Sequence, residues 1–342
     1  MSFPRTLPTA RVPDPAAAPS LRWGVIGTGW IAERFVAALQ QHTRQRVVAV
    51  GSRRVGTARA FADRFTLPHA HGSYADLVAD AEVDVVYVAT PHNAHSPHAR
   101  LALEAGKHVL IEKPITLNAA EARELAGLAA ARGLFCAEAL WSLYLPKFDV
   151  VRQLLDDATL GDISAVHADH GGWFAPDHRI QRHDLAGGPL LDLGTYPLAL
   201  TGWVLGEPTE VVARGRQAPS GVNGQVGALL DYAGGAQALV HTTILTGTPT
   251  QAVIAGTEAT LTIPGAYRPG PFTLVGPDGQ RLEHTEPAID FDGLAYQAAE
   301  VARRIVAGDR ETPFRPLADS IATMTLIDEI RRQIGVVWDE ER

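Results

Sequence analysis

Cysteine is almost missing from this chain, with one in 342 residues. A single thiol excludes an internal disulfide framework. Cys136, set in the apolar run Leu134-Phe135-Cys136-Ala137, reads as a buried strand residue rather than a nucleophile. Long apolar runs are missing too, and none reaches the ~18 residues of a membrane span. Positive charge is not in excess: the net charge is −8 and no basic block is present. That argues against nucleic acid or an anionic membrane as the main partner. The first twenty residues lack both the apolar centre of a signal peptide and the Ser/Arg-rich pattern of a transit peptide. The expectation is a soluble, cytoplasmic protein.

Lysine is scarce as well. Of 30 basic residues only Lys107, Lys113 and Lys147 are lysine. Arginine cannot give up its proton in a protein and lysine can, so these three are candidates for a chemical role. Composition alone does not choose among them.

What the chain does have begins at Gly24-Val25-Ile26-Gly27-Thr28-Gly29-Trp30-Ile31-Ala32. The pattern G-x-G-x-x-A follows a short apolar run. Gly27 permits the sharp turn, Gly29 leaves the backbone open to a pyrophosphate, and small Ala32 lets the helix lie close on the strand. Such a turn is weak evidence by itself. Its context is a strand from Leu21 to Ile26, a helix from Ile31 to Leu39 and a second strand from Val47 to Val50, which together make one βαβ unit. At the end of that second strand an NAD site carries an acid for the ribose 2′-hydroxyl. Here the residues are Ser52, Arg53 and Arg54, which suit a 2′-phosphate, so NADP (NADPH) is favoured over NAD. A solvated surface turn is the alternative.

At 342 residues, 46% of them hydrophobic, two domains with a large core are expected. Residues 1–20 form a Pro/Ala-rich arm, packed on the cofactor domain or on a neighbouring subunit. Residues 21–138 alternate strand and helix and form an N-terminal Rossmann domain with a doubly wound parallel sheet. Ligands in such sheets lie beyond the carboxyl ends of the strands, here Gly27, Gly51, Thr90, Lys113 and Glu138. Residues 139–315, in which 209–276 run as successive β segments without crossover helices, form the second domain. They read as an α+β domain with a large, mostly antiparallel open sheet. A last helix within 316–342 is expected to return to the Rossmann domain.

Two further segments carry chemistry. Glu112-Lys113-Pro114 ends the strand 108–112, and a lysine there can hydrogen-bond the oxygen of a carbonyl or alcohol; a surface ion pair is the plain alternative. Gly187-Gly188-Pro189 leads into a helix with Asp192 and Tyr196 one turn apart on one face; taken alone, a structural helix start is the simpler explanation. Histidines at 92, 95 and 98 suggest a metal, but no carboxylate or cysteine completes the set nearby. No metal site is expected.

In this order and spacing the motifs resemble the Gfo/Idh/MocA family of oxidoreductases. The resemblance runs from Leu21 to Gly335. It rests on the Gly27/Gly29 turn, on Ala105-Gly106-Lys107-His108-Val109 leading into Glu112-Lys113-Pro114, and on Gly187-Gly188 followed by Asp192-Leu193-Gly194. The family implies a Rossmann domain plus an open sheet that commonly forms subunit contacts, hence a homo-oligomer, dimer or tetramer. It implies a cofactor site at Gly27, Thr28, Gly29, Trp30 and Ile31, at Ser52, Arg53 and Arg54, and at Thr90, Pro91, His92, Asn93, His95, Glu112 and Lys113. It also implies a cis peptide at Lys113-Pro114.

Most of the family has His where this chain has Tyr196. A branch similar to dihydrodiol dehydrogenases and NADP-dependent D-xylose dehydrogenases has Tyr. That branch tends to read E-A-x-W-x-R-x-x-P, whereas Leu143 stands here in place of the Arg. The resemblance therefore implies hydride transfer between a nicotinamide and a CH–OH or C=O group of a polyol, sugar-like or cyclic diol substrate. Tyr196 would be the general acid/base, Lys113 would polarise the oxygen, and Asp192 would orient the pair or bind a substrate hydroxyl. Trp141, Arg179 and His183 are candidate substrate contacts. Two rival readings stay open, a non-catalytic NAD(P)-binding regulator and an NAD-dependent glycosidase of the same family.

Overall fold

The computed structural model describes residues 3–287 and 289–341. Contacts divide the chain into two units, one of residues 13–144 and 289–321, the other of 1–12, 145–288 and 322–342. In the first, strands and helices alternate: Arg22–Ile26 (β1), Trp30–His42 (α1), Arg46–Gly51 (β2), Val55–Phe65 (α2), His69–His71 (β3), Tyr74–Ala79 (α3), Val85–Val88 (β4), His95–Glu104 (α4), His108–Glu112 (β5), Ala119–Arg132 (α5) and Cys136–Ala139 (β6). The sheet order is β3-β2-β1-β4-β5-β6, with all pairings parallel. That is the doubly wound order with its switch point between β1 and β4.

The local sequence explains the elements. Val85, Val86, Tyr87 and Val88 are fully buried, as a central parallel strand covered on both faces must be. Phe35 of α1 stacks on Tyr87 with centroids 3.8 Å apart and meets Trp23 edge-on at 5.4 Å, which fixes α1 on the sheet. Asn118 caps α5 by accepting from Glu121 N at 2.9 Å, and Gly133 ends it in the left-handed conformation at φ 66°, where a side chain would be strained. Cys136 is fully buried in β6, and burial pushes its thiol up to about 12, helped by the charge of Glu311. It is a packing residue.

The second unit is built on Ile163–Gly171 (β7), Glu210–Gln217 (β8), Asn223–Asp231 (β9), Gln237–Thr243 (β10), Ala252–Gly256 (β11), Thr260–Ile263 (β12), Phe272–Val275 (β13) and Arg281–His284 (β14). Their order is β14-β13-β12-β11-β7-β10-β9-β8. Only β7 and β10 pair in parallel; every other pairing is antiparallel. Helices Pro146–Asp156 (α6), Pro189–Asp192 (α7) and Thr195–Leu205 (α8) belong to the same unit. The fold class expected from the sequence is the one observed.

Four features differ from expectation. Leu294–Ala307 (α9) belongs to the first unit and packs on α1, held by Phe291 against Trp30 at 4.7 Å; residues 289–315 are therefore not part of the sheet domain. Leu317–Ile334 (α10) starts in the first unit, where Ser320 Oγ donates to Glu138. Its far end does not return there. Gln333 donates to Val211 O and accepts from Ala213 N, both at 2.7 Å, because the edge strand β8 leaves backbone groups that need partners. The single helix expected after Gly187-Gly188-Pro189 is broken at Leu193-Gly194, so Asp192 and Tyr196 stand on different helices; a Cβ on Gly194 would fall 2.6 Å from Leu190 O. The arm is divided too. Arg11 forks onto Asp149 of α6, and Asp14 O accepts from Arg303 of α9 at 2.7 Å.

Candidate active site

The turn after β1 has the geometry its glycines require. Gly27 lies at φ +104°, and a Cβ there would meet Ala89 O at 2.6 Å. Its N–H donates to Gly51 O at 3.1 Å, so the turn is pinned between the two neighbouring strands. Gly29 caps α1 without a side-chain bond, and a Cβ on it would meet nothing within 4 Å. The backbone at the start of α1 is thus bare where a side chain would otherwise stand. Ala32 is fully buried against the sheet. Trp30 is 53% exposed and meets Phe291 edge-on, and Trp141, buried, stacks on the same Phe291 at 5.6 Å. Leu143 is buried as well.

After β2, Ser52 is nearly buried and donates its N–H to His71 O at 3.1 Å. Arg53 and Arg54 are exposed, and Arg54 O accepts from the first turn of α2. Burial raises the Tyr74 phenol, and the Arg53 charge opposes that rise. Burial and then the same charge lower the His98 imidazole. Tyr74 and His98 meet edge-on at 4.5 Å, and His98 Nδ1 lies 3.1 Å from Thr90 Oγ1. Arg53, Tyr74, His98 and Thr90 are therefore one electrostatic neighbourhood at the carboxyl ends of the strands.

The Thr90 turn continues through Pro91, His92 and Asn93 into α4. His95, fully buried, is a brace: Nδ1 lies 2.7 Å from Pro114 O and Nε2 lies 2.9 Å from Thr90 O. Both ring nitrogens face protein carbonyls. Lys113-Pro114 is cis, as the resemblance implied, and Lys113 is half-buried. Glu112 turns inward, accepting from Tyr87 Oη and, at 3.2 Å, from Lys113 N. Glu138 accepts from Ile115 N at 3.0 Å and from Arg315 Nε and Ser320 Oγ, both at 2.8 Å. The lysine turn is thus supported from both sides by buried carboxylates.

The three lysines now separate. Lys107 donates to Asp80 O and Val83 O and ties a loop. Lys147 is fully buried and donates to Arg268 O, and burial lowers it to about 8 against the opposing charge of Glu286. Lys113 is the one at the mouth of the parallel sheet.

In the second unit, Gly187-Gly188 is a steric requirement. A Cβ on Gly188, at φ +106°, would fall 2.2 Å from Asn223 Nδ2, and one on Gly187 would fall 2.5 Å from two carbonyl oxygens. Asn223 Oδ1 accepts from Leu190 N at 3.2 Å, which sets the start of α7. Asp192, nearly buried, is paired with Arg179 at 2.9 Å, so two residues singled out from the sequence stand together. His183 bonds Asp339 instead, at 3.0 Å. Tyr196 stacks on Tyr267 at 5.1 Å and meets His170 at 5.3 Å. Burial drives the Tyr267 phenol far above 10, with Asp169 adding to the rise.

A family model described as an oxidoreductase family with an NAD-binding Rossmann fold matches residues 21–139, and one for a GFO/IDH/MocA C-terminal domain matches residues 148–262. Trans-1,2-dihydrobenzene-1,2-diol dehydrogenase of Mus musculus is 34% identical over 334 residues, covering 94% of this chain and 99% of that protein. The chain belongs to the Gfo/Idh/MocA family. The Homo sapiens dehydrogenase of the same name is 33% identical over 335 residues, again covering 94% and 99%. KijD10, a 3-ketoreductase from Actinomadura kijaniata solved with NADP and TDP-benzene, superposes with a TM-score of 0.82 at 29% identity, covering 92% of this chain and 98% of that one. Levoglucosan dehydrogenase, at 18% identity and a TM-score of 0.84, shares the fold. This Gfo/Idh/MocA member is an oxidoreductase of the dehydrogenase and reductase kind.

Sequence reasoning missed Tyr74, Phe291, His170 and Tyr267 in this Gfo/Idh/MocA chain, and read His98 only as a possible ligand. Single aromatics without a motif give no signal until the fold gathers them. Among the described residues no helix is long and apolar enough to cross a membrane.

Proposed function

We propose that this protein is an NADP-dependent oxidoreductase acting on a CH–OH or C=O group of a sugar-like or cyclic diol substrate. One observation carries the cofactor choice: the turn after β2 holds Ser52, Arg53 and Arg54 and no carboxylate, with Arg53 in the field shared by Tyr74 and His98. The residues fit the group, since the bare backbone at Gly29 leaves room for a pyrophosphate and Arg53 offers a fixed charge for a 2′-phosphate. NADP, when bound, supplies hydride exchange at the nicotinamide.

The protein's own residues do the rest. The α1 N-terminus binds the pyrophosphate, and the Thr90–Asn93 turn and Lys113 border the nicotinamide. Tyr196 moves the proton of the carbinol oxygen, and the aromatic stack of Tyr267 and His170 holds its ring in place. Asp192, oriented by Arg179, accepts a substrate hydroxyl. Trp141 supports an apolar wall through Phe291. The names of the dehydrogenase and ketoreductase relatives favour a vicinal diol or a hydroxy-ketone as the substrate class. We also read the outer face of the eight-stranded sheet, with Leu239 50% and Val212 43% exposed, as a contact between copies of this chain.

The test is NADPH and NADH oxidation with a panel of dicarbonyls and keto-sugars, and NADP reduction with cyclic trans-diols and aldoses. Turnover with NADPH over NADH is expected. Binding of NADPH without turnover on any member would favour the regulator, and sugar release without net cofactor change would favour the glycosidase.

A further inference from the structure

His69 and His71 are alternate residues of β3, so both side chains leave the strand on one face. Facing them is Asp80, where α3 has just ended. Its Oδ2 lies 2.6 Å from His69 Nδ1 and 2.9 Å from His71 Nε2. One donor atom from each residue lies within 4.8 Å of the other two. We propose that His69, His71 and Asp80 form a binding site for a divalent transition-metal ion of the zinc class, with its remaining positions open to water.

The donor set selects the ion. Two imidazoles and one carboxylate suit zinc, nickel, cobalt or copper, and magnesium or calcium would want oxygen alone. The site is anchored on its inner side and open on its outer side. The Asp80 side chain is 9% exposed, that of His71 22% and that of His69 39%. The carboxylate is fixed independently of the histidines, because Asp80 Oδ1 accepts from Glu82 N at 2.8 Å. Lys107 Nζ fixes the same residue from the backbone side, donating to Asp80 O at 2.8 Å. These are the outer contacts that hold a ligand in place.

The fit needs little movement. Bonds of ~2.0–2.2 Å in a tetrahedron place donor atoms about 3.3 Å apart. The two N···O separations must widen by roughly half an ångström, which small rotations of the partly exposed rings supply. The ion would replace the protons the two rings now direct at one oxygen, and would clip edge strand β3 to the end of α3.

The test uses the full chain after treatment with a chelator. Zinc chloride is titrated against a chromogenic competitor, and cobalt chloride is followed by its visible absorption. Wild type should take one equivalent at micromolar zinc, show the strong visible bands of a low-coordinate cobalt site, and melt at a higher temperature with zinc than without. His69→Ala and His71→Ala should lose the equivalent, the bands and the thermal shift, and Asp80→Asn should bind at least tenfold more weakly. His183→Ala, which removes a different histidine–carboxylate pair, should bind as wild type does. Circular dichroism of the metal-free variants checks that they fold; if His71→Ala does not, His69→Ala and the cobalt spectrum decide. No equivalent bound by wild type at micromolar zinc overturns the proposal. So does an equivalent that survives in the folded His69→Ala and His71→Ala variants.

Discussion

Arg53→Ala should separate the two nicotinamide cofactors. Arg53 is exposed at the turn after β2 and acts electrostatically on Tyr74 and His98. A charge-assisted hydrogen bond contributes about 1.5–3 kcal/mol net, and 1.4 kcal/mol is a factor of ten. NADPH should therefore bind roughly ten- to hundredfold more weakly. The Debye length is about 8 Å at physiological ionic strength. An exposed arginine should then give a loss near tenfold there and a larger one in dilute buffer. NADH, which has no 2′-phosphate, should bind as before. Fluorescence titration of both cofactors against Arg53→Ala and Arg54→Ala reads this directly. Parallel weakening of NADPH and NADH would mean that the guanidinium stacks on the adenine instead. Unchanged NADPH affinity in both variants would refute phosphate recognition and leave an ordinary surface turn. A second readout is independent of any ligand. Burial lowers His98 and the Arg53 charge lowers it further, so Arg53→Ala should raise the His98 titration midpoint, though burial still holds it below 6.5. An unmoved midpoint in an NMR titration would show that Arg53 does not sit beside that ring.

Lys113→Met and Tyr196→Phe should each lower kcat by a factor on the order of 10² to 10⁴, with much smaller changes in NADPH affinity; near-wild-type kcat in Tyr196→Phe would assign the proton to another group. Arg315 and Glu138 are 2% and 1% exposed, so Arg315→Met removes the counter-charge of a buried carboxylate and should cost about 3–5 kcal/mol. Urea unfolding measures that loss, and Arg315→Met with Glu138→Gln should recover part of it, because the neutral amide oxygen can still accept from Ile115 N. Lys147 is lowered from 10.5 to about 8, chiefly by burial. Between those values the unfolded chain keeps a proton that the folded chain has released, so the lysine makes stability rise with pH over that interval. Lys147→Met should lack that component when denaturation midpoints at the two ends are compared with wild type.

Much of the fold was legible because it is periodic. The buried run Val85–Val88, the Gly27 turn and the alternation of strand with helix each report a local rule, and the parallel sheet follows from them. β3 was not legible, since His69-Ala70-His71 has neither the apolar run nor the alternation that marks a strand; it exists because β2 offers an edge to pair with. The ownership of α9 was hidden for a related reason. Its apolar face says that it packs, and only Phe291 against Trp30, far away in sequence, says on what. Of the candidate residues, Lys113, Tyr196 and Asp192 were visible as motif residues. Glu138 was visible only as a strand end, because its partner Arg315 lies 177 residues on. Arg179 was named for a substrate, and its pairing with Asp192 depends on a loop path that no periodicity encodes.

His95 carries a consequence for motion. Its ring touches the carbonyl of Thr90 on one side and that of Pro114 on the other, and a neutral imidazole has one N–H to give. Releasing the ring frees two segments at once, the one that follows β4 and the one that carries Lys113. In a hydrogen-exchange experiment their amides should open in a single event with one free energy, as a small cooperative unit. The Thr90 turn and the Lys113 turn would then share one clock, with a buried histidine as its pivot.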